Sequence, residues 1–218
     1  MESSRNRLAA HLWRLQAVSF SPEEPFLWSS GVRSPVYCDN RRLLSDLSAR
    51  DEIVKEWVFR VRQRFAGLEA VAGVATAGIP HATLLADRLR LPLVYARPDP
   101  KDHGLKRAVE GQLAPGARTL VVEDLVSTGR SLSQVIHRIE EAQGHVVGAT
   151  AIMTYNFGIA QRRMEQLGIP FLALMGIEDL LSWGREQGYL AEAQVEAIRQ
   201  GLKDVENQLA AREASVHS

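Results

Sequence analysis

At 218 residues the chain is long enough for one sizeable core and short for two independent domains. Its 26 basic and 26 acidic residues cancel, which removes the broad basic footprint of a nucleic-acid binder, so any bound anion has to be held locally. The single cysteine, Cys38, excludes an internal disulfide and a multi-cysteine zinc site and fits a reducing compartment.

Residues 1–20 are interrupted by Arg5, Arg7, His11 and Arg14, and no later stretch reaches the length of a membrane span. The expectation is a soluble cytoplasmic protein. Residues 2–18 read as a helix, with Leu8, Leu12 and Leu15 at helical spacing. "PFLWSSGVRSPVYCDNR" reads as a loose β-hairpin at a sheet edge, because Pro35 cannot donate to a ladder. "DLSARDEIVKEWVFRVRQRF" sets Ile53, Trp57, Val61 and Phe65 on one helical stripe.

From Glu69 onward, apolar runs alternate with amphipathic stretches. "AVAGVAT", "LPLVYAR", "ARTLVVED", "HVVGATAIMTY" and "IPFLALM" read as strands. "GIPHATLLADRLR", "SLSQVIHRIEEAQG" and "GIAQRRMEQLG" read as helices. Continuous rather than alternating apolar character marks strands buried on both faces, hence an α/β fold with a doubly wound, mainly parallel sheet flanked by helices. One domain is expected over 1–218: an N-terminal helix and hairpin hood over about 1–45, a core over about 46–175, and two polar helices over about 176–213, with the tail "AAREASVHS" fraying. "PDPKDHGLKRAVEGQLAPG", 98–116, breaks the rhythm. It is long for a connection, and it holds two of the four lysines, Lys101 and Lys106.

The densest chemistry lies in "TLVVEDLVSTGRSLSQVI". Glu123 and Asp124 stand at the carboxyl end of a strand, where open α/β sheets bind ligands. The following turn offers hydroxyls from Ser127, Thr128 and Ser131, a flexible Gly129, and the backbone N–H groups of a starting helix, which together make a phosphate cradle. Acids repel phosphate, so the carboxylates must serve another part of the ligand: hydroxyls, a metal, or developing positive charge. A phosphorylated sugar meets both demands. The Gly-x-x-x-x-Gly-Lys order of a P-loop is lacking.

The order strand, Glu-Asp, two apolar residues, Ser-Thr-Gly, Arg-Ser, helix resembles the 5-phosphoribosyl 1-pyrophosphate (PRPP) motif of the type I phosphoribosyltransferases. "FLWSSGVRSPVYCDNR", "GVATAGIPHA" and "YARPDPKDHG" resemble, in order, the base-bordering hairpin, the loop beneath pyrophosphate and the flexible catalytic loop of their orotate branch. The likeness runs from about Phe26 to about Tyr155.

That resemblance implies an orotate phosphoribosyltransferase reaction of pyrimidine (UMP) biosynthesis. A ring nitrogen of orotate displaces pyrophosphate at C1 of the ribose, with Mg²⁺ as cofactor. It assigns Lys101, His103, Asp124 and Glu123 to catalysis. PRPP falls to Arg97, Lys101, His103, Thr76, Ala77, Gly78, and Glu123, Asp124, Leu125, Val126, Ser127, Thr128, Gly129, Arg130 and Ser131. Orotate falls to Arg33, Tyr37, Cys38 and Thr128. Residues 98–110 become a lid that excludes water from the activated C1. Mg²⁺ is held mainly through PRPP, without a dedicated protein ligand set. The resemblance further implies a homodimer with shared active sites, while the charge balance and the lack of a membrane-length apolar stretch lead to the expectation of neither nucleic acid nor membrane as partner. Ala77 and Pro98 stand where many relatives are basic, and Tyr155 and Asn156 stand where some carry an arginine toward the orotate carboxylate. The competing readings are a PRPP-binding regulator without catalysis, disfavoured by the neutral charge, and a phosphoribosyltransferase for another nucleobase, disfavoured by the Ser-Gly-x-x-Ser-Pro hairpin.

Overall fold

A computed structural model describes residues 4–28, 30–98 and 109–216. The chain divides into two compact units, Met1–Ser45 with Met175–Ser218, and Asp46–Leu174. The C-terminal segment thus joins the N-terminal one.

The first unit opens with helix α1 (Ser4–Arg14), which ends four residues before the expected end at residue 18. Gln16 takes a left-handed φ of 51°, and the amide of Ala17 closes the turn on the carbonyl of Leu12. Strand β1 (Val18–Phe20) follows, then β2 (Phe26–Leu27), β3 (Arg33–Ser34), β4 (Val36–Cys38) and a 3₁₀ turn over Asn40–Ser45. The expected single hairpin is two separate pairings: β2 with β3, and β4 with β1. The break falls at Pro35, whose missing N–H ends one ladder before the next begins.

The second unit begins with helix α2 (Leu47–Arg64), capped by Asp46, whose carboxylate accepts the amide of Ala49 at 2.8 Å. Then come β5 (Ala70–Val74), α3 (Gly78–Leu89), β6 (Leu93–Ala96), β7 (Val109–Glu110), β8 (Arg118–Val126), α4 (Arg130–Glu141), β9 (His145–Thr154), α5 (Gly158–Leu167) and β10 (Phe171–Gly176). These strands form one sheet in the order β10-β9-β8-β5-β6-β7. β6, β5, β8 and β9 are mutually parallel and β7 is antiparallel to β6. β7 lies within the stretch read from sequence as loop and, at its start, as lid. Two residues are too few to show periodicity.

All five residues of β5 are buried, as a strand covered on both faces requires. Leu132, Val135, Ile136 and Ile139 of α4 pack with Ala160 and Met164 of α5 against Val121, Val126 and Ala149 of the sheet. α2 buries Ile53, Val54, Trp57 and Val61, and the Trp57 indole donates to Thr150 Oγ1 at 2.7 Å. That hydroxyl donates in turn to the Leu172 carbonyl at 2.8 Å, so no member of the buried relay is unsatisfied.

Helices α6 (Ile177–Glu186) and α7 (Glu192–Val216) complete the first unit. Neither is polar throughout. α6 buries Ile177, Leu180, Leu181 and Trp183, and α7 buries Val195, Ile198, Leu202, Val205 and Leu209 at helical spacing. Trp13 stacks on Phe20 and Tyr189 at ring separations of 5.1 and 5.0 Å. The tail does not fray where its composition predicts: α7 continues to Val216, and Arg212 donates to the carbonyls of Ser30 and Gly31. Among the described residues no helix is long and apolar enough to cross a membrane.

Candidate active site

The strand order reverses between β5 and β8. From β5 the chain crosses through α3 to β6 on one side, and from β8 it crosses through α4 to β9 on the other. The two crossover helices therefore leave a crevice at the carboxyl ends of β5 and β8, the place where open α/β sheets take ligands. Three consecutive strand ends deliver candidate residues there. Ala96 pairs with Val74, and its carbonyl accepts the Ala75 amide at 2.8 Å, so Arg97 leaves β6 beside the 75–77 loop. Gly73 pairs with Val122, which brings Thr76, Ala77 and Gly78 beside Glu123 and Asp124.

The approach between those loops is close. A Cβ at Gly78 would lie 2.7 Å from the Val122 carbonyl oxygen and 3.2 Å from Glu123 Oε1, so α3 can start against β8 only with glycine there. The Ala75–Thr76 peptide is cis. Thr76 and Arg97 are exposed, Ala77 half-buried.

β8 runs to Val126, so Leu125 and Val126 are still strand when the cradle begins. Ser127 and Thr128 are half-buried, Arg130 and Ser131 exposed. Gly129 caps α4 with φ 72° and ψ 7°, a left-handed turn that glycine adopts without penalty. The Arg130 amide meets Thr128 Oγ1 at 3.3 Å. The amides of the first helical turn have no intrahelical acceptor, and this leaves the end of α4 suited to an anion.

The two acids are not equivalent. Glu123 is 7 % exposed and Asp124 is half-buried. The Asp124 amide donates to Glu123 Oε1 at 3.0 Å. Burial first, and the Asp124 charge second, push the Glu123 carboxyl well above the ordinary carboxylate range, toward its neutral form. Asp124 is left as the acid that meets the crevice.

His81 adds a group to which the sequence reading gave no role. It sits one turn into α3, is 4 % exposed, and its Nε2 has no hydrogen-bond partner among the described residues. Burial lowers its pKa, while the charge of Asp124 pulls the other way. "GIPHA" carries its only sequence signal, a histidine three residues after the glycine where the helix starts, which places it on the face turned to β8. Arg163 of α5 was also missed. It donates to the Thr128 carbonyl from a stretch that reads only as an amphipathic helix.

Arg33, Tyr37 and Cys38 belong to the first unit. Arg33 reaches the Pro25 carbonyl at 3.4 Å, Cys38 Sγ donates to Asn40 Oδ1 at 3.4 Å, and the Tyr37 ring, 42 % exposed, lies 5.8 Å from that of Phe26. An exposed aromatic on a short strand does little for a core. Lys101 and His103 lie outside the described residues, as does most of the expected lid. Val109 and Glu110, at the far end of the expected lid, pair with Ala96 and Tyr95 as strand β7.

Residues 44–168 match the phosphoribosyl transferase domain family. An orotate phosphoribosyltransferase of Streptococcus pneumoniae is 37 % identical over 200 residues, spanning 92 % of this chain and 95 % of that one. One of Bacteroides fragilis is 39 % identical over 204 residues, with 94 % and 96 % covered. The solved orotate phosphoribosyltransferase of Aeropyrum pernix superposes with a TM-score of 0.72 at 32 % identity, covering 84 % of this chain and 99 % of its own. UMP synthase of Leishmania donovani superposes with a TM-score of 0.79 at 27 % identity, covering 93 % of this chain and 43 % of that longer one. The chain belongs to the phosphoribosyltransferase family, among the orotate phosphoribosyltransferases.

Proposed function

We infer that the chain transfers the phosphoribosyl group of PRPP to orotate, releasing pyrophosphate and forming orotidine 5′-monophosphate in the cytoplasm as a step of pyrimidine biosynthesis. One observation carries this reading: the switch point of the sheet joins a carboxylate, Asp124, to an anion-binding helix start, Ser127 to Ser131. A sugar phosphate needs both. The 5′-phosphate sits on the α4 turn, and Asp124 takes the ribose hydroxyls beside the ring. As the C1–O bond loosens, positive charge grows on that ring and Asp124 faces it. This is a fixed charge aimed where charge develops. Glu123, held toward its neutral form, orients Asp124 rather than doubling its charge.

Pyrophosphate takes the opposite stabilisation from Arg97, Lys101 and His103 and from the 76–78 loop. Asp124 and the Ser127 and Thr128 hydroxyls would help hold a substrate-borne Mg²⁺, which would supply positive charge toward the leaving group. The crevice suits such an ion, because Asp124 and the Ser and Thr hydroxyls are hard oxygen donors and Mg²⁺ keeps its own waters. Orotate binding is assigned to Arg33, Tyr37, Cys38 and Thr128. The active form is a homodimer whose lid residues serve the neighbouring site. The test is to mix pure protein with PRPP, Mg²⁺ and each nucleobase in turn. Orotate consumption, followed by ultraviolet absorbance, is expected; faster turnover of adenine, guanine or uracil would overturn the base assignment.

A further inference from the structure

We propose that Arg163 is a positioning residue of the phosphate cradle: from behind the turn it holds the Thr128 carbonyl, and thereby aims the Gly129 amide at the bound phosphate. The proposal rests on reading the Ser127–Ser131 turn as the seat of the PRPP 5′-phosphate.

The peptide unit joining Thr128 to Gly129 is planar. The Thr128–Gly129 bond is trans, so its C=O and N–H point in opposite directions. Arg163 Nη1 donates to the Thr128 carbonyl from α5. The Gly129 N–H is therefore turned away from α5, toward the mouth of the turn. Without a donor behind it, that carbonyl has only solvent to satisfy it. The peptide could then flip, because Gly129, at φ 72°, tolerates either orientation. A flip would put a carbonyl oxygen where the phosphate must lie.

The same face of α5 supplies the rest of the backing. A Cβ at Gly129 would stand 3.6 Å from Ala160 Cα and 3.7 Å from Met164 Cε, so residues 160, 163 and 164 line one wall behind the turn. The wall is apolar except for Arg163. Arginine suits the place: its stem packs along the helix, its charge strengthens the hydrogen bond, and its positive field favours an anion on the far side without touching it. Arg162, the neighbouring arginine, is exposed and points off this face.

The experiment uses the full chain and two probes, ribose 5-phosphate by titration calorimetry and PRPP by steady-state kinetics. In Arg163→Met, which keeps the stem and removes the donor, ribose 5-phosphate is expected to bind about tenfold more weakly and the KM for PRPP to rise about as much, the usual scale for losing a charge-assisted hydrogen bond. The KM for orotate and the Tm stay at wild-type values, Arg163→Lys falls between, and Arg162→Met changes nothing. Unchanged PRPP and ribose 5-phosphate affinity would overturn the proposal, and so would a lowered Tm with both substrates weakened alike, the mark of a merely structural arginine. Should Arg163→Met not fold, the same comparison is made with Arg163→Lys. A wild-type chain that turns over orotate without binding ribose 5-phosphate would instead overturn the cradle itself, and that result is visible before any substitution is made.

Discussion

The amide of Asp124 donates to Oε1 of its own neighbour, Glu123, at 3.0 Å, which ties two consecutive acids at a strand end into one unit. Burial holds Glu123 toward its neutral form, while Asp124 is the more accessible of the two. Glutamine reproduces a neutral carboxylic acid, offering one acceptor oxygen and a donor in place of the acid proton. Glu123→Gln is therefore expected to retain most activity, whereas Asp124→Asn keeps the fold and loses turnover by at least ~10-fold, about 1.4 kcal/mol of transition-state stabilisation. Equal losses in the two variants would show that both acids act as charges.

A pH signature belongs to the same residue. The folded-state pKa of Glu123 lies above its ordinary 4.5, so its favourable contribution is complete below that value and is lost as pH rises toward the raised pKa. Glu123→Gln removes this dependence. Its Tm relative to wild type should climb as pH increases from the ordinary carboxylate value, and level off once wild-type Glu123 has ionised. Parallel Tm curves for the two proteins would mean that Glu123 titrates as it does in water.

His81 bends the curve at the other end. Burial holds its pKa below the ordinary 6.5, so the neutral ring supports the fold above that value, and stability is lost as pH falls through the depressed pKa. The Asp124 charge opposes the shift without reversing it. His81→Gln, which cannot acquire a charge, should lose less Tm than wild type between about pH 7.5 and about pH 5. An identical acid-side drop in the variant would place the responsible group elsewhere.

The parallel sheet was legible because buried strands and amphipathic helices leave long, repeated patterns, and the Glu123–Ser131 cradle because its residue types follow one another directly. What escaped the sequence was set by contacts across it. β7 has two residues and exists by pairing with Tyr95 and Ala96. The α7 tail, polar enough to read as frayed, is fastened by Arg212 to two carbonyls over 180 positions earlier in the chain. His81 and Arg163 look like ordinary helix residues. Their meaning comes from where α3 and α5 end up beside β8 and the turn after it, which no local spacing records.

The two glycines of the crevice make a last prediction, because the fold needs them for different reasons. At Gly78 the demand is space: an added Cβ would stand 2.7 Å from the Val122 carbonyl oxygen, a backbone atom that cannot swing aside. Gly78→Ala must push α3 away from β8, which disturbs Glu123 and the pyrophosphate loop together. Both Tm and turnover are expected to fall. At Gly129 there is room, with nothing nearer than 3.6 Å, and the demand is conformational. A left-handed residue with a side chain costs roughly 1–2 kcal/mol, so Gly129→Ala should fold with a modest loss of Tm. Its turn, however, can relieve the strain by leaving the left-handed region, which carries the amide away from the phosphate. The KM for PRPP should then rise more than the KM for orotate. Thermal melts and the two KM values on both variants separate the cases. A Gly129→Ala enzyme with wild-type PRPP affinity would show that the left-handed turn is dispensable for holding the phosphate.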